Sequence, residues 1–170
     1  MDQYLTEHKL YWPVNSELMA SYRDGSHTEK LENGTLVWVK NGKLHRDDDK
    51  PARIDADGTL EWYKNGKLHR DGDRPAWIYA NGSLAWWKND VLHRDGDRPA
   101  GIIPNDTCEW WKNGKKHRVC GPAAIYQMFV KQYWINGVNI TEEVRSWLIT
   151  RQCQFPLNPE QQVEFSLTFS

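Results

Sequence analysis

The chain has 170 residues, with 22 basic and 23 acidic side chains, so it suits one soluble globular unit or a short repeat array and requires no second domain. The charges are finely interspersed, which leaves no basic stripe for a nucleic-acid duplex. Ten tryptophans against a mean hydropathy of −0.81 fit thin, two-faced β-structure rather than a thick core.

The opening MDQYLTEHKLYW lacks the basic start and apolar run of a secretory signal, and no segment approaches the roughly 18 apolar residues that a bilayer span needs. The expectation is a cytoplasmic protein with no membrane partner. Residues 1–30 read as a decayed repeat unit that caps the first edge of an array. The array itself occupies residues 31–140. Asn41, Asn65, Asn89 and Asn113 lie 24 apart, as do Trp38, Trp62, Trp86 and Trp110, and His45, His69, His93 and His117. Each unit reads as strand, turn, strand, turn, strand, loop: PARID, ADG, TLEWY, KNG, KLHR, DGDR. After Arg118 the linking loop is one residue shorter, VCGPAAI for DGDRPAWI, and a weaker fifth copy ends at YWINGVN.

Asn-Gly and Asp-Gly between short alternating segments predict hairpins. Two-residue loops at Asp57-Gly58 and Asn65-Gly66 would set Ile54 against Glu61 and Lys64 against Lys67. Three-residue loops set Ile54 against Leu60, Arg53 against Glu61, Ala52 against Trp62 and Trp62 against Leu68. The second register is adopted at both turns, because a slip of one residue turns every side chain to the other face. It predicts a core face of Ala52, Ile54, Leu60, Trp62 and Leu68, followed by Ala76, Ile78, Leu84, Trp86 and Leu92. The opposite face carries Arg53, Asp55, Glu61, Tyr63, Lys67 and His69, a solvated pattern. One unit later it carries Trp77, Tyr79, Ala85, Trp87, Val91 and His93, an apolar patch on the wrong side of the sheet.

Residues 141–170 form the predicted C-terminal segment. Thr141 is placed to cap a short helix with Glu142 and Glu143 in its first turn and Val144, Trp147 and Leu148 on one stripe, covering the last hairpin. VEFSLTF alternates apolar and polar residues from Val163 to Phe169, which predicts a closing strand.

The copies WYKNGKLHR and WWKNGKKHRVCGPA resemble the degenerate MORN-type repeats, with their W-Y-x-NGK-x-HR-x-x-GPA texture, over roughly Asn33 to Val138. Such repeats occur in bacterial antitoxin-like proteins and in uncharacterised proteins of phages and large DNA viruses. The ending, NG-x-x-ITEEV followed by F-x-L-x-F from Phe165 to Phe169, is similar to the tail of the viral and phage members. The linking loop DGDRP departs from the family by an extra residue. The resemblance implies an all-β, elongated array of antiparallel hairpins. Three strands per unit at about 4.8 Å advance roughly 14 Å, so four units span about 55 Å.

Candidate chemistry recurs along with the units. Arg46, Arg70, Arg94 and Arg118 follow the four histidines. The pattern predicts structural ties, with His bonded to a neighbouring loop and Arg paired with a loop Asp across the unit boundary. The other reading is a row of cationic contacts for an acidic or nucleotide-like ligand. Asp47 and Asp49, Asp71 and Asp73, and Asp95 and Asp97 stand two apart as in calcium loops, but a Lys or Arg follows each pair, so turn chemistry is predicted. Cys108, Cys120 and Cys153 share no metal-type spacing. No metal and no cofactor is expected.

Adjacent aromatics point to opposite faces of a strand. Trp77, Tyr79, Trp87, Tyr63 and Trp111, with Val91, His69 and His93, therefore form the predicted binding strip. No nucleophile–base–orienter set can be assembled, so the function expected is non-enzymatic: a scaffold binding a protein, or a second copy as a homodimer, through this strip. The family resemblance adds a viral or phage, host-modulating role. Sequestration of a small anion by aromatic stacking and the His-Arg rows is the alternative.

Overall fold

The computed structural model describes residues 28–127 and 130–169. The chain divides between Val91 and Leu92 into two compact units. Among the described residues, nearly all regular structure before residue 140 is antiparallel β. In the first unit the trunk strands run in chain order: Glu29–Lys30, Leu36–Val37, Arg53–Ile54, Leu60–Glu61, Trp77–Ile78 and Leu84–Ala85. In the second they are Gly101–Ile103, Thr107–Glu109, Ala124–Tyr126 and Val130–Gln132. Between successive pairs of trunk strands the chain leaves the trunk to make a small hairpin, such as Tyr63–Lys64 with Lys67–Leu68. Residues 1–27 of the expected N-terminal cap lie outside the described residues. Among the described residues no helix is long and apolar enough to cross a membrane.

The trunk turns follow the predicted register. Ile54 pairs with Leu60 and Arg53 with Glu61, and the Asp55 N–H donates to the Thr59 carbonyl at 2.9 Å, enclosing a three-residue loop. Gly58 takes φ +96°, the left-handed position such a loop requires. The Asp57 carboxylate accepts from the Thr59 N–H at 2.8 Å, as Asn81 does from Ser83 at 2.9 Å. These side chains replace backbone acceptors that the turn cannot supply.

The small hairpins correct the predicted register. Lys64 faces Lys67 and Tyr63 faces Leu68; Lys112 likewise faces Lys115. Each loop therefore has two residues. Asn65 and Gly66 both have positive φ, +54° and +82°, the signature of a type I′ turn whose twist matches its strands. This backbone preference outweighs the unfavourable facing of two lysines, of which Lys64 carries its ammonium away to Asp71 at 2.7 Å and Lys67 is exposed. Gly66→Ala is expected to cost about 1–2 kcal/mol for the left-handed backbone. The added methyl would meet the Lys43 side chain at 3.4–3.6 Å, an ordinary contact, so the cost lies in the backbone. An unchanged urea midpoint would show that the turn can relax.

The core prediction survives this slip because the chain pivots at each tryptophan. The Trp62 N–H donates to the Ala76 carbonyl in the trunk, while its own carbonyl accepts from the His69 N–H in the small hairpin, at 2.8 and 2.9 Å. Trp38 repeats both bonds with Ala52 and His45, and Trp110 with Ala123 and His117. Donor and acceptor of one residue thus serve two ladders, and register on one side does not constrain the other. Ala52, Ile54, Leu60, Trp62, Leu68, Ala76, Ile78, Leu84 and Trp86 are all buried. Leu92 is half-buried.

Two helices complete the chain. Helix α1, Thr141–Thr150, buries Val144 and Trp147 as expected. Thr141 is its first helical residue and not its cap: Ile140 occupies the N-cap position without a side-chain bond. The Thr141 hydroxyl instead accepts from the Tyr133 N–H and donates to Asn139, at 3.1 and 2.6 Å. The closing strand is not formed, since Pro159–Phe169 is a second helix, α2. Asn158 Oδ1 accepts from the Gln161 N–H, and Gln161 Oε1 from the Asn158 N–H, at 2.9 and 3.0 Å. Such a reciprocal cap, with Pro at the first helical position, commits the segment to a helix. Phe165 and Phe169, four apart, face inward; Val163 and Leu167 are exposed. Phe165 meets Trp147 and Phe155 edge-on, each at 5.5 Å between ring centres, in a small core shared with Tyr133, Val144 and Leu157.

Candidate functional site

Trp77 pairs with Glu61 on one side and Ala85 on the other, so its side chain stands on the face opposite Ile78. Tyr79, two residues on, stacks on Trp77 with ring centres 4.9 Å apart and planes 13° from parallel. Trp87 closes the group at 6.2 Å from Trp77. The small Ala85 between Trp77 and Trp87 leaves room for them. All three rings are half-buried, and the buried indole N–H groups of Trp77 and Trp87 have no hydrogen-bond partner among the described residues. A buried donor without an acceptor costs about 1–3 kcal/mol.

The neighbouring unit fills the same positions with polar groups. Arg53 Nε donates to Asp55 at 2.8 Å and lies 3.5 Å from Glu61, while the Tyr63 hydroxyl donates to Glu61 at 2.7 Å. Burial raises the pKa of the Glu61 carboxyl, against the lowering effects of the Tyr63 hydrogen bond and Arg53. Burial and Glu61 together raise the Tyr63 phenol, and burial first, then Glu61, raises that of Tyr79. Both phenols therefore keep their protons at neutral pH. Tyr63 is thus held by Glu61, and Val91 is exposed on its small hairpin.

Trp111, grouped with this strip by sequence position, packs differently in the second unit. Its indole N–H donates to Glu109 at 3.1 Å, and the Lys116 ammonium lies 5.4 Å from its ring centre and 5.5 Å from that of Trp134. Lys116 pairs with Glu109 and donates to the Tyr126 hydroxyl, each at 2.7 Å. Burial works against the Lys116 charge, but the hydrogen bonds to Glu109 and Tyr126 outweigh it and raise its pKa. The sequence reading missed this cluster. Its signal was the replacement of Leu44, Leu68 and Leu92 by Lys116.

The histidines and arginines act between neighbouring turns. His45 Nδ1 accepts from the Asn65 backbone N–H at 3.0 Å, and His69 from Asn89 at 3.2 Å. His93 and His117 accept from Asn113 and Asn136, at 3.0 and 3.1 Å. An Nδ1 that accepts leaves the neutral ring's proton on Nε2. That Nε2 meets Asp47, Asp71 and Asp95 beside the first three histidines, at 3.0, 3.1 and 2.9 Å. Arg70 makes two 2.8 Å bonds to Asp49 from the preceding loop and a third to the Pro75 carbonyl. Its guanidinium also lies 3.9 Å above the Trp62 ring. Arg118 grips Asp97 and covers Trp110 in the same way. Arg46 and Arg94 donate to the carbonyls of Pro51 and Pro99. Among the described residues no group of three or more His, Cys, Asp or Glu side chains could hold a metal ion. Compared with family models, curated proteins and solved structures, the chain matches none.

Proposed function

We propose that the chain is a non-enzymatic scaffold of degenerate MORN-type repeats that binds a protein partner through Trp77, Tyr79 and Trp87. The observation that carries this reading is the contact of three half-buried rings on the face opposite the core, with two indole donors lacking acceptors among the described residues. Tryptophan and tyrosine dominate the energetics of protein interfaces, because they bury large areas and still present a polar edge. A partner would cover the half-exposed faces of the three rings. The arginines support no second reading of comparable strength, since Arg70 and Arg118 direct their donors at carboxylates of this chain.

The test uses the double variant Trp77→Ser/Trp87→Ser and the native chain as paired baits, together with the mass of each in solution. The expected result is a partner retained by the native chain and reduced at least tenfold on the variant, with both baits folded. A doubling of mass in the native chain alone would identify the partner as a second copy. Equal capture by both baits, or unfolding of the variant, would place these rings in a structural role.

A further inference from the structure

Three loops carry the same arrangement: a carboxylate two residues after the histidine, accepting from the ring. In the first two, a lysine of the small hairpin donates to it as well. Asp47 lies 3.0 Å from His45 Nε2 and 2.8 Å from Lys40 Nζ. Asp71 lies 3.1 Å from His69 Nε2 and 2.7 Å from Lys64 Nζ. Asp95 repeats the contact to His93 at 2.9 Å. At the fourth position, two residues after His117, stands Val119. The lysine and histidine remain while the carboxylate is gone.

The surroundings of His117 are otherwise those of its counterparts. Its Nδ1 accepts from the Asn136 N–H, which directs an Nε2–H outward in the neutral ring. Burial first, then the Lys112 charge, lower the His117 pKa, which favours the neutral ring. Neither Lys112 Nζ nor His117 Nε2 has an ion-pair or hydrogen-bond partner among the described residues. Both line a cleft of about 280 Å³ that Val119 and the exposed Cys120 share. The one-residue deletion shortens the reach of Arg118 to Pro122, four residues on where Arg70 reaches five. Arg118 is occupied by Asp97, and does not fill the gap.

We propose that Lys112 and His117 form a carboxylate-binding site, in which an acidic group from another molecule takes the place that Asp47, Asp71 and Asp95 hold in the earlier loops. A carboxylate suits the site because its two oxygens accept separately, one from an ammonium and one from an imidazole N–H, as Asp71 does. The site is distinct from the aromatic face and does not depend on its role.

Isotope-labelled full-length protein is titrated with two probes, acetyl-Gly-Asp-Gly-amide and acetyl-Gly-Gly-Gly with a free C-terminus, while the imidazole resonances are followed by NMR. The two distinguish a side-chain carboxylate from a chain terminus. Solvent-exposed pairs are weak, so the expected result is a saturable shift of the His117 signals with a Kd of order 1–10 mM. The His45, His69 and His93 signals should stay fixed, each already holding an aspartate. Val119→Asp, which supplies the missing carboxylate, and Lys112→Ala should each reduce the response at least threefold. No His117 shift with either probe, equal shifts at all four histidines, or an undiminished response in both variants would overturn the proposal.

Discussion

Phe165→Ala is expected to lower the unfolding free energy of the C-terminal core by about 3–5 kcal/mol, the usual range for removing a buried phenylalanine. The ring is 1% exposed and touches Trp147, Phe155 and Phe169. Little can collapse into the space it leaves, because two of its neighbours are rigid rings held edge-on. Leu167→Ser, two positions on, should change stability by less than about 0.5 kcal/mol, since Leu167 is 81% exposed. Urea unfolding followed by tryptophan fluorescence reads both, because Trp147 lies against the substituted ring. On a strand the two residues would share a buried face and both changes would be costly. Comparably large losses from Phe165→Ala and Leu167→Ser would contradict the helical assignment of 159–169.

The second large effect is expected at Arg70. Methionine in its place keeps an unbranched apolar side chain and removes the guanidinium together with its contact over Trp62, leaving the Pro75 carbonyl without that donor and Asp49 with Arg74. Breaking a buried pair costs about 3–5 kcal/mol when the surviving charge stays buried. Asp49 is a third exposed and keeps a second arginine, so water offsets part of the loss and about 2–3 kcal/mol is expected. Lys40→Ala serves as the contrast. Its pair with Asp47 is more than half exposed on both sides, and its removal should shift the unfolding midpoint far less than that of Arg70. Equal effects of the two substitutions in chemical denaturation would mean that the Arg70–Asp49–Trp62 assembly does not hold neighbouring loops together.

Much of the trunk was legible because one facing argument sufficed. Only the three-residue loop sets Ile54 on Leu60 and Arg53 on Glu61, and hydrophobic and charged pairing agree there. At Asn65-Gly66 the same argument misled. It weighed Lys64 against Lys67 as though the side chains ended at Cβ, whereas the stem of Lys64 carries its charge to Asp71, Lys67 is exposed, and the turn obeys its backbone. The final helix was misread for a related reason. Val163, Phe165, Leu167 and Phe169 fit a period of two, and they equally form two i, i+4 pairs, Val163 with Leu167 and Phe165 with Phe169; the cap at Asn158 and Gln161 decides between the two. The aromatic group was visible as a departure from the pattern, Arg53 to Trp77 and Asp55 to Tyr79. Trp111 was not separable from it, because its surroundings depend on Lys116, which faces Trp111 only in the two-residue register of the small hairpin.

The pivot at each tryptophan also bears on how the chain folds. Within each unit the described trunk strands pair with their neighbours in chain order: Leu60 meets Ile78 and Cys108 meets Ile125, separations of 18 and 17 residues. The small hairpins close over two residues, and the histidine ties between turns span 19 or 20. All-β proteins are commonly slow because distant strands must meet before any contact rewards the loss of chain entropy. Here the loops to be closed are short throughout the trunk, so the contact order is that of a locally wired protein. Each hairpin can add to the one already formed, and the search time is set by a segment of about twenty-five residues rather than by the whole chain.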